Sequence, residues 1–329
     1  MSRLCLYYIQ EQEKDRILPG DRYLRPVIRR ILRGTPRVGG VDKVFINLCL
    51  GLDKLGIEYD VNLPFKYLQS GDRVGILGRG RNCLNGYNNP NPIVAGIGLM
   101  THPSEWPSLC QDYPVVKYLQ HSQWAVDIYT PYFHERCDMW AVGIDTNTWQ
   151  PVSSLSKSVD FLIYNKIRWK QNEYEESLLT PIRQLLQQRK LSFEEICYGK
   201  YNSLNYQEAL NRCRAMIFLC EHESQGLAYQ ECLSSSVPII AWDQGKCLDP
   251  NRFKWGTPNI PATSVPFWDE RCGVKFKNIS EFPMKLEEFL DKLNYQKFAP
   301  REYILENLTL EKCAKDFVEI LDRVNESHN

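Results

Sequence analysis

The sequence predicts an α/β protein built from two Rossmann-like domains that face a cleft. Short apolar runs alternate with helical patterns nearly throughout, which is the signature of βαβ units on a parallel sheet. The chain has 329 residues, comfortable for two domains of about 150 each. A polar, turn-rich stretch, Gly143–Ser158, holds Pro151 and four serines and is expected to be the linker between them.

In the first half, Leu4–Ile9 is the first expected strand. Val41, Val44, Phe45, Leu48, Leu52 and Leu55 share one helical face, and Gly56 is placed to end that helix. Further strands are expected at Ile57–Leu63, Val74–Leu77, Ile93–Ile97, Val115–Leu119 and Met139–Val142. In the second half the expected order is strand Val159–Tyr164, a long helix Tyr174–Arg189, strand Glu195–Tyr198 and a helix around Tyr206–Cys213. Strand Ala215–Cys220, a helix opening near Gly226 and strand Val237–Trp242 follow. After residue 280 the pattern is mainly helical to Val324.

Composition narrows the class. With 43% hydrophobic and 24% charged residues the chain can bury substantial cores. Forty basic residues balance forty acidic ones, which speaks against a dedicated nucleic-acid binder. The twelve cysteines are scattered, with no CxxC pair and no Cys/His cluster at metal-ligand spacing. Cys213, Cys220 and Cys232 lie in apolar surroundings, where a thiol behaves as a small buried hydrophobe. A reducing, cytoplasmic setting is expected, since the N-terminal apolar stretch is too short for a signal peptide. The longest apolar run, Pro92–Met100, is too short to span a membrane.

One segment carries chemistry. Ala215–Cys220 is a buried-strand pattern, and Val237–Trp242 is another. Between them lies Glu221-His-Glu-Ser-Gln-Gly-Leu-Ala-Tyr-Gln-Glu231. A strand, a short polar loop, a glycine and a helix start present free backbone N–H groups to an anion. Gly226 lets a phosphate approach the main chain closely. Glu231, five residues further on, falls on the first turns of the same helix, within reach of a ribose whose phosphates sit at the helix end.

The string EHESQGLAYQECLSSSVPIIAWD resembles the E-x7-E region of family-four retaining glycosyltransferases of the GT-B fold. The resemblance implies that Glu223 contacts the donor sugar, that Glu231 holds the ribose hydroxyls, and that Gly226, Leu227 and Ala228 lie under the diphosphate, with Ser224 and Gln225 also expected among the donor-binding residues. Gly143-Ile-Asp-Thr146 with Pro151 resembles the GID-x4-P string that closes the first domain of that family. Residues 1–145 would then be the acceptor domain and 146–307 the nucleotide-sugar domain, with a C-terminal helix near 308–326 packing back on the first.

Other positions fit this frame unevenly. Gly39-Gly40 opens the first helix where the family has a paired-glycine loop near the donor phosphates; a plain helix cap is the alternative. Lys166 and Arg168, two apart at a strand's end, can face one site and neutralise a leaving diphosphate, with Lys170 as an exposed spare. The family spaces its arginine and lysine differently. His102, in GLMTHPSEWP, is placed as a contact to the donor sugar across the cleft, the alternative being a structural loop histidine. Ser122-Gln-Trp124 resembles an SxW element of that family, with Trp124 expected in the core and a sugar platform as the alternative. Tyr198 and Tyr201 end a strand at the cleft edge, where their rings would flank the base; a buried structural tyrosine is the alternative. Arg22–Arg37 contains six arginines and no acid; it suits an anionic membrane surface, a phosphorylated acceptor or a solvated helix face.

No Asp-x-Asp occurs, so no metal is expected and no cofactor beyond the nucleotide-diphosphate sugar that serves as donor substrate. The acceptor would be a glycan or a lipid-linked or protein-linked hydroxyl. Two other classes remain open: a catalytically silent sugar-nucleotide or glycan-binding relative that keeps the pocket, and a nucleic-acid-modifying transferase of the same fold.

Overall fold

The computed structural model describes residues 2–9, 39–152, 157–253, 255–256 and 259–327. The arginine-rich stretch Arg22–Arg37 lies outside them.

The first sheet is six-stranded, in the order β2-β1-β3-β4-β5-β6, and every pairing is parallel. Its strands are β1 (Leu4–Tyr7), β2 (Tyr59–Val61), β3 (Arg73–Ile76), β4 (Ile93–Gly96), β5 (Val115–Gln120) and β6 (Cys137–Met139). The second sheet, order β11-β10-β9-β7-β8, is also parallel. It comprises β7 (Val159–Lys166), β8 (Phe193–Cys197), β9 (Cys213–Cys220), β10 (Ile239–Trp242) and β11 (Gly273–Phe276). Helices of eight residues or more are α1 (Gly40–Lys54), α2 (Gln123–Phe133), α3 (Thr180–Gln188), α4 (Ser203–Arg212), α5 (Leu227–Ser234), α6 (Phe282–Asn294), α7 (Pro300–Asn307) and α8 (Leu310–Glu326).

Both sheets therefore share one topology. The chain leaves β1 to one side and returns past it to β3; it leaves β7 for β8 and returns past it to β9. In open parallel sheets of this kind, ligands bind outside the carboxyl ends of the strands at the point where winding direction reverses. Here that point lies between β1 and β3 in one half and between β7 and β9 in the other.

Apolar residues cover both faces of each sheet, as doubly wound sheets require. α8 closes one face of the first sheet: Ala314, Phe317, Ile320, Leu321 and Val324 share a core with Val44, Leu48 and Leu52 of α1. Their approach is close enough that a Cβ on Gly51 would lie 2.5 Å from the Leu310 carbonyl oxygen and 2.7 Å from Ala314 Cβ. α8 thus packs on the first sheet together with α1.

Three expectations change in detail. The strand expected at Met139–Val142 sits earlier, at Cys137–Met139, because Trp140 and Val142 turn into the core beneath α8. The strand β11 was not foreseen, because its four residues alternate too little to stand out from the loops around them. The first part of the expected linker is packed, with Ile144 and Trp149 buried. Arg301 donates to the carbonyls of Thr146 (3.0 Å), Trp149 (2.9 Å) and Ser234 (2.6 Å), tying the crossing to both α5 and α7. Among the described residues no helix is long and apolar enough to cross a membrane.

Candidate active site

The second half's switch point is built from two strand ends. β7 ends at Lys166, followed by Arg168; β9 ends at Cys220, followed by the loop Glu221–Gly226 and α5. β7 and β9 are paired, with Lys166 opposite Cys220, so residues just past either strand share one space. Lys166 Nζ pairs with Glu223 there. Both are largely buried, at 12% and 9% side-chain exposure. Burial opposes a charge on Lys166, but Glu223 outweighs it and holds the ammonium above its ordinary pKa. Tyr198 lies beside the pair, its ring centroid 4.4 Å from Lys166 Nζ.

Gly226 is the N-cap of α5 with φ +87° and ψ 53°, a left-handed conformation that glycine adopts without strain. A Cβ here would also collide with the Tyr229 ring. The first N–H groups of α5 have no partner within the helix, so they aim partial positive charge at the loop. Leu227 and Ala228 are half-buried, and Ser224 is exposed at the rim. Tyr206 fixes the turn by donating its hydroxyl to the Ala228 carbonyl at 2.6 Å.

Glu231 lies further along α5 and is paired across the cleft with Lys43 of α1. Burial raises the Glu231 carboxyl above the ordinary carboxylate range, and Lys43 offsets only part of that. Lys43 was not singled out in the sequence; its signal was its place one helical turn past Gly39-Gly40. Gly39 caps α1 and donates its N–H to Asp42 Oδ2 at 2.9 Å, and Tyr8 at the end of β1 also donates to Asp42. A Cβ on Gly40 would meet nothing within 4 Å. The first half's switch point therefore faces the second's, joined by the Lys43–Glu231 pair.

The other candidate residues lie around this centre. The Gln225 side chain is engaged by the first half: its amide accepts from Val142 N (3.0 Å) and donates to Val142 O (2.6 Å), linking the two halves. Arg168 spreads over the Trp169 ring, centroid 4.4 Å away, and donates to the His222 carbonyl at 3.4 Å. Lys170 is exposed and pairs with Glu173 at 3.1 Å. His102 is buried, bonded through Nδ1 to Ser104 Oγ at 2.8 Å and stacked on Trp255 at 4.4 Å. Burial and the nearby Arg252 lower its pKa. It sits at a junction between the halves, with its ring engaged by Trp255.

Two supports escaped sequence reading. Glu221, fully buried, accepts the backbone N–H groups of Arg168 (2.7 Å) and Trp169 (2.9 Å) through Oε1, which locks the loop after β7 onto the loop after β9. Trp124, expected in the core, does pack beside Cys247, Ile260 and Ala262. Its indole also donates to the Glu223 carbonyl at 2.9 Å, reaching across from the first half. His222 is held neutral: burial first, then Arg168 and Arg252, push its pKa down to about 3, and its Nε2 lies 2.9 Å from Cys247 Sγ. Among the described residues no group of three or more His, Cys, Asp or Glu converges to hold a metal ion.

The sequence matches no protein-family model and no curated protein. Solved structures do match. The lipopolysaccharide outer core galactosyltransferase WaaB, in its apo form, is similar at TM-score 0.55 and 10% identity, over 99% of this chain and 100% of that one. The sucrose-phosphate synthase of Thermosynechococcus elongatus is similar at TM-score 0.52 and 10% identity, again over 99% and 100%. TarM is similar at TM-score 0.51 and 12% identity, over 84% of this chain; the chain spans 58% of TarM's length. This protein has the GT-B fold. Likeness at such identity speaks for architecture, and chemistry has to be argued from the site.

Proposed function

We propose that this protein is a glycosyltransferase that moves a sugar from a nucleoside-diphosphate sugar to an acceptor hydroxyl, with retention at the anomeric carbon and without a metal ion. One observation carries the reading. Glu223, Glu231, Lys166 and the open N-terminus of α5 meet at the switch point of the second sheet, facing the Gly39-Gly40 helix start of the first.

On this reading the diphosphate sits against the first N–H groups of α5 beside Gly226, where backbone dipoles favour an anion. Lys166 supplies the compensating positive charge. The bond between the anomeric carbon and the β-phosphate oxygen breaks, and its electron pair leaves with the diphosphate. The acceptor oxygen bonds to the same face of that carbon, and its proton passes to the departing phosphate oxygen. No protein nucleophile is needed. Glu223 holds the sugar hydroxyls, with its backbone steadied by Trp124. Fixed donors aimed at developing charge lower the barrier most in a site closed to water. The solved structures with this fold whose names describe sugar transfer or synthesis support the reading by analogy.

A panel of uridine, guanosine and adenosine diphosphate sugars tests it, by thermal shift and by slow donor hydrolysis in the presence of a chelator. At least one donor is expected to stabilise the protein and to release its nucleoside diphosphate. No stabilisation by any donor would refute the reading. Anomer analysis of the released sugar product would separate retention from inversion.

A further inference from the structure

The Lys43–Glu231 pair joins the two halves at the place assigned to the ribose. We propose that Lys43 is the obligatory charge partner of Glu231 while the nucleotide is bound, so that the second half accepts a ribose only when the first half is closed on it. The proposal rests on the reading of Glu231 as the ribose acceptor.

The argument starts from the carboxylate. Glu231 keeps only 4% of its surface exposed. Its Oε1 is taken by Lys43, and its Oε2 has no hydrogen bond among the described residues. A ribose diol offers two hydrogen bonds and no charge. If the diol displaced Lys43, a buried carboxylate would lose its cation, and an uncompensated buried charge is strongly unfavourable. If instead the diol takes Oε2 while Lys43 keeps Oε1, the charge stays neutralised and the second oxygen is satisfied. The division of the two oxygens already present in the structure suits the second course.

Lys43 is also held in place for that duty. Its ammonium lies 5.3 Å from the centroid of the Trp149 ring, and Trp149 is fixed by Ser234 of α5 and by Arg301, both bonded to its carbonyl. Lys43 projects from the first turn of α1, whose position α8 sets through the contact at Gly51. Any opening of the halves withdraws the cation from Glu231. The other titratable groups that sense Glu231 are the phenols of Tyr164, Tyr201 and Tyr206 and the thiol of Cys232. Burial raises all four, Tyr201 to about 12, so they stay neutral where Glu231 titrates.

The test measures binding of uridine, guanosine and adenosine diphosphate sugars, whose diphosphates have no ionisation in the window, by calorimetry between pH 5 and 8.5. It compares the wild type with Lys43→Met, Lys43→Arg, Glu231→Gln and the Lys43→Met/Glu231→Gln double variant. The wild type is expected to bind one of the three, with affinity falling as Glu231 protonates on the acid side. In Lys43→Met the carboxyl loses the cation paired with it among the described residues, and its pKa rises further. Affinity at pH 7 should fall at least tenfold, and the acid limb should move up by a unit or more. Lys43→Arg should restore the limb, and Glu231→Gln should abolish it whether or not Lys43 is present. A role confined to holding the fold together would lower affinity without moving the limb. A Lys43→Met variant with wild-type affinity and limb overturns the proposal. If Lys43→Met does not fold, the neutral double variant should fold and bind without an acid limb; a limb that persists there overturns it too. If the wild type binds none of the three nucleotide sugars, the ribose reading fails and takes this proposal with it.

Discussion

Removing the charge of Lys166 tests the centre of the site. In Lys166→Met, Glu223 keeps its buried place between β7 and β9 but loses the cation that faces it. Its nearest remaining side-chain partner is Cys220 Sγ, 3.6 Å from Oε1, a weak donor. Deleting one partner of a buried pair costs about 3–5 kcal/mol. With both side chains near one-tenth exposed, the lower end, about 3 kcal/mol, is expected. For a domain of this size that lowers Tm by roughly 6–12 °C. The double variant Lys166→Met/Glu223→Gln removes both charges and should recover most of the loss. The assay is differential scanning calorimetry on the three proteins, with diphosphate binding measured on the same samples. If a charge-assisted contact of about 1.5–3 kcal/mol is lost, affinity should fall roughly 10- to 150-fold in Lys166→Met and stay low in the double variant. Two results would refute the reasoning: a single variant as stable as wild type, or a double variant no more stable than the single.

Four further outcomes are expected. Gly40→Ala should leave Tm unchanged or slightly raised, because nothing lies within 4 Å of the added Cβ and alanine favours a helix. A selective loss of donor binding in that variant would mark Gly40 as a phosphate contact, and unchanged binding would mark it as a plain helix start. Gly51→Val should lower Tm through overpacking against Leu310 and Ala314, a cost of about 1–3 kcal/mol, without altering nucleotide contacts in the second half; calorimetry reads it directly. Because His222 is depressed to about 3 and His121 to about 4 by burial, both contribute stability that is complete above their unfolded pKa near 6.5. That stability is lost as pH falls toward 3–4, and His222→Gln should flatten the decline in an acid-unfolding series. Lys170→Ala should change donor affinity little, since its ammonium is exposed and paired with Glu173; a loss as large as that of Lys166→Met would reverse the assignment of the cations.

The two-domain α/β architecture was legible because buried parallel strands are short continuous apolar runs, and their alternation with helical periodicity survives without knowledge of tertiary context. The glycine-led helix start at Gly226 was legible for a local reason as well: a strand, a loop, a glycine that must take positive φ and a helix start are consecutive in the chain. Glu231 followed from helical spacing. Residues brought in from far away were not legible. Lys43 lies 188 positions before Glu231, and its place one helical turn past Gly39-Gly40 does not say which carboxylate it meets. The partner of Gln225 was not legible either, because sequence adjacency does not say which way a side chain turns, and Val142 of the other half binds its amide.

The sequence by itself determined the fold class and the glycine and glutamate pattern of the loop after β9, because each depends on residues a few positions apart. Only the tertiary structure decided the electrostatic pairing. Lys166 with Glu223, Lys43 with Glu231 and Glu221 with the backbone after β7 are contacts between strand ends or between halves. Which carboxylate meets which cation depends on sheet order and on the docking of α8 and the packed crossing at Trp149. Those are set by long-range burial, and no local pattern in the chain records them.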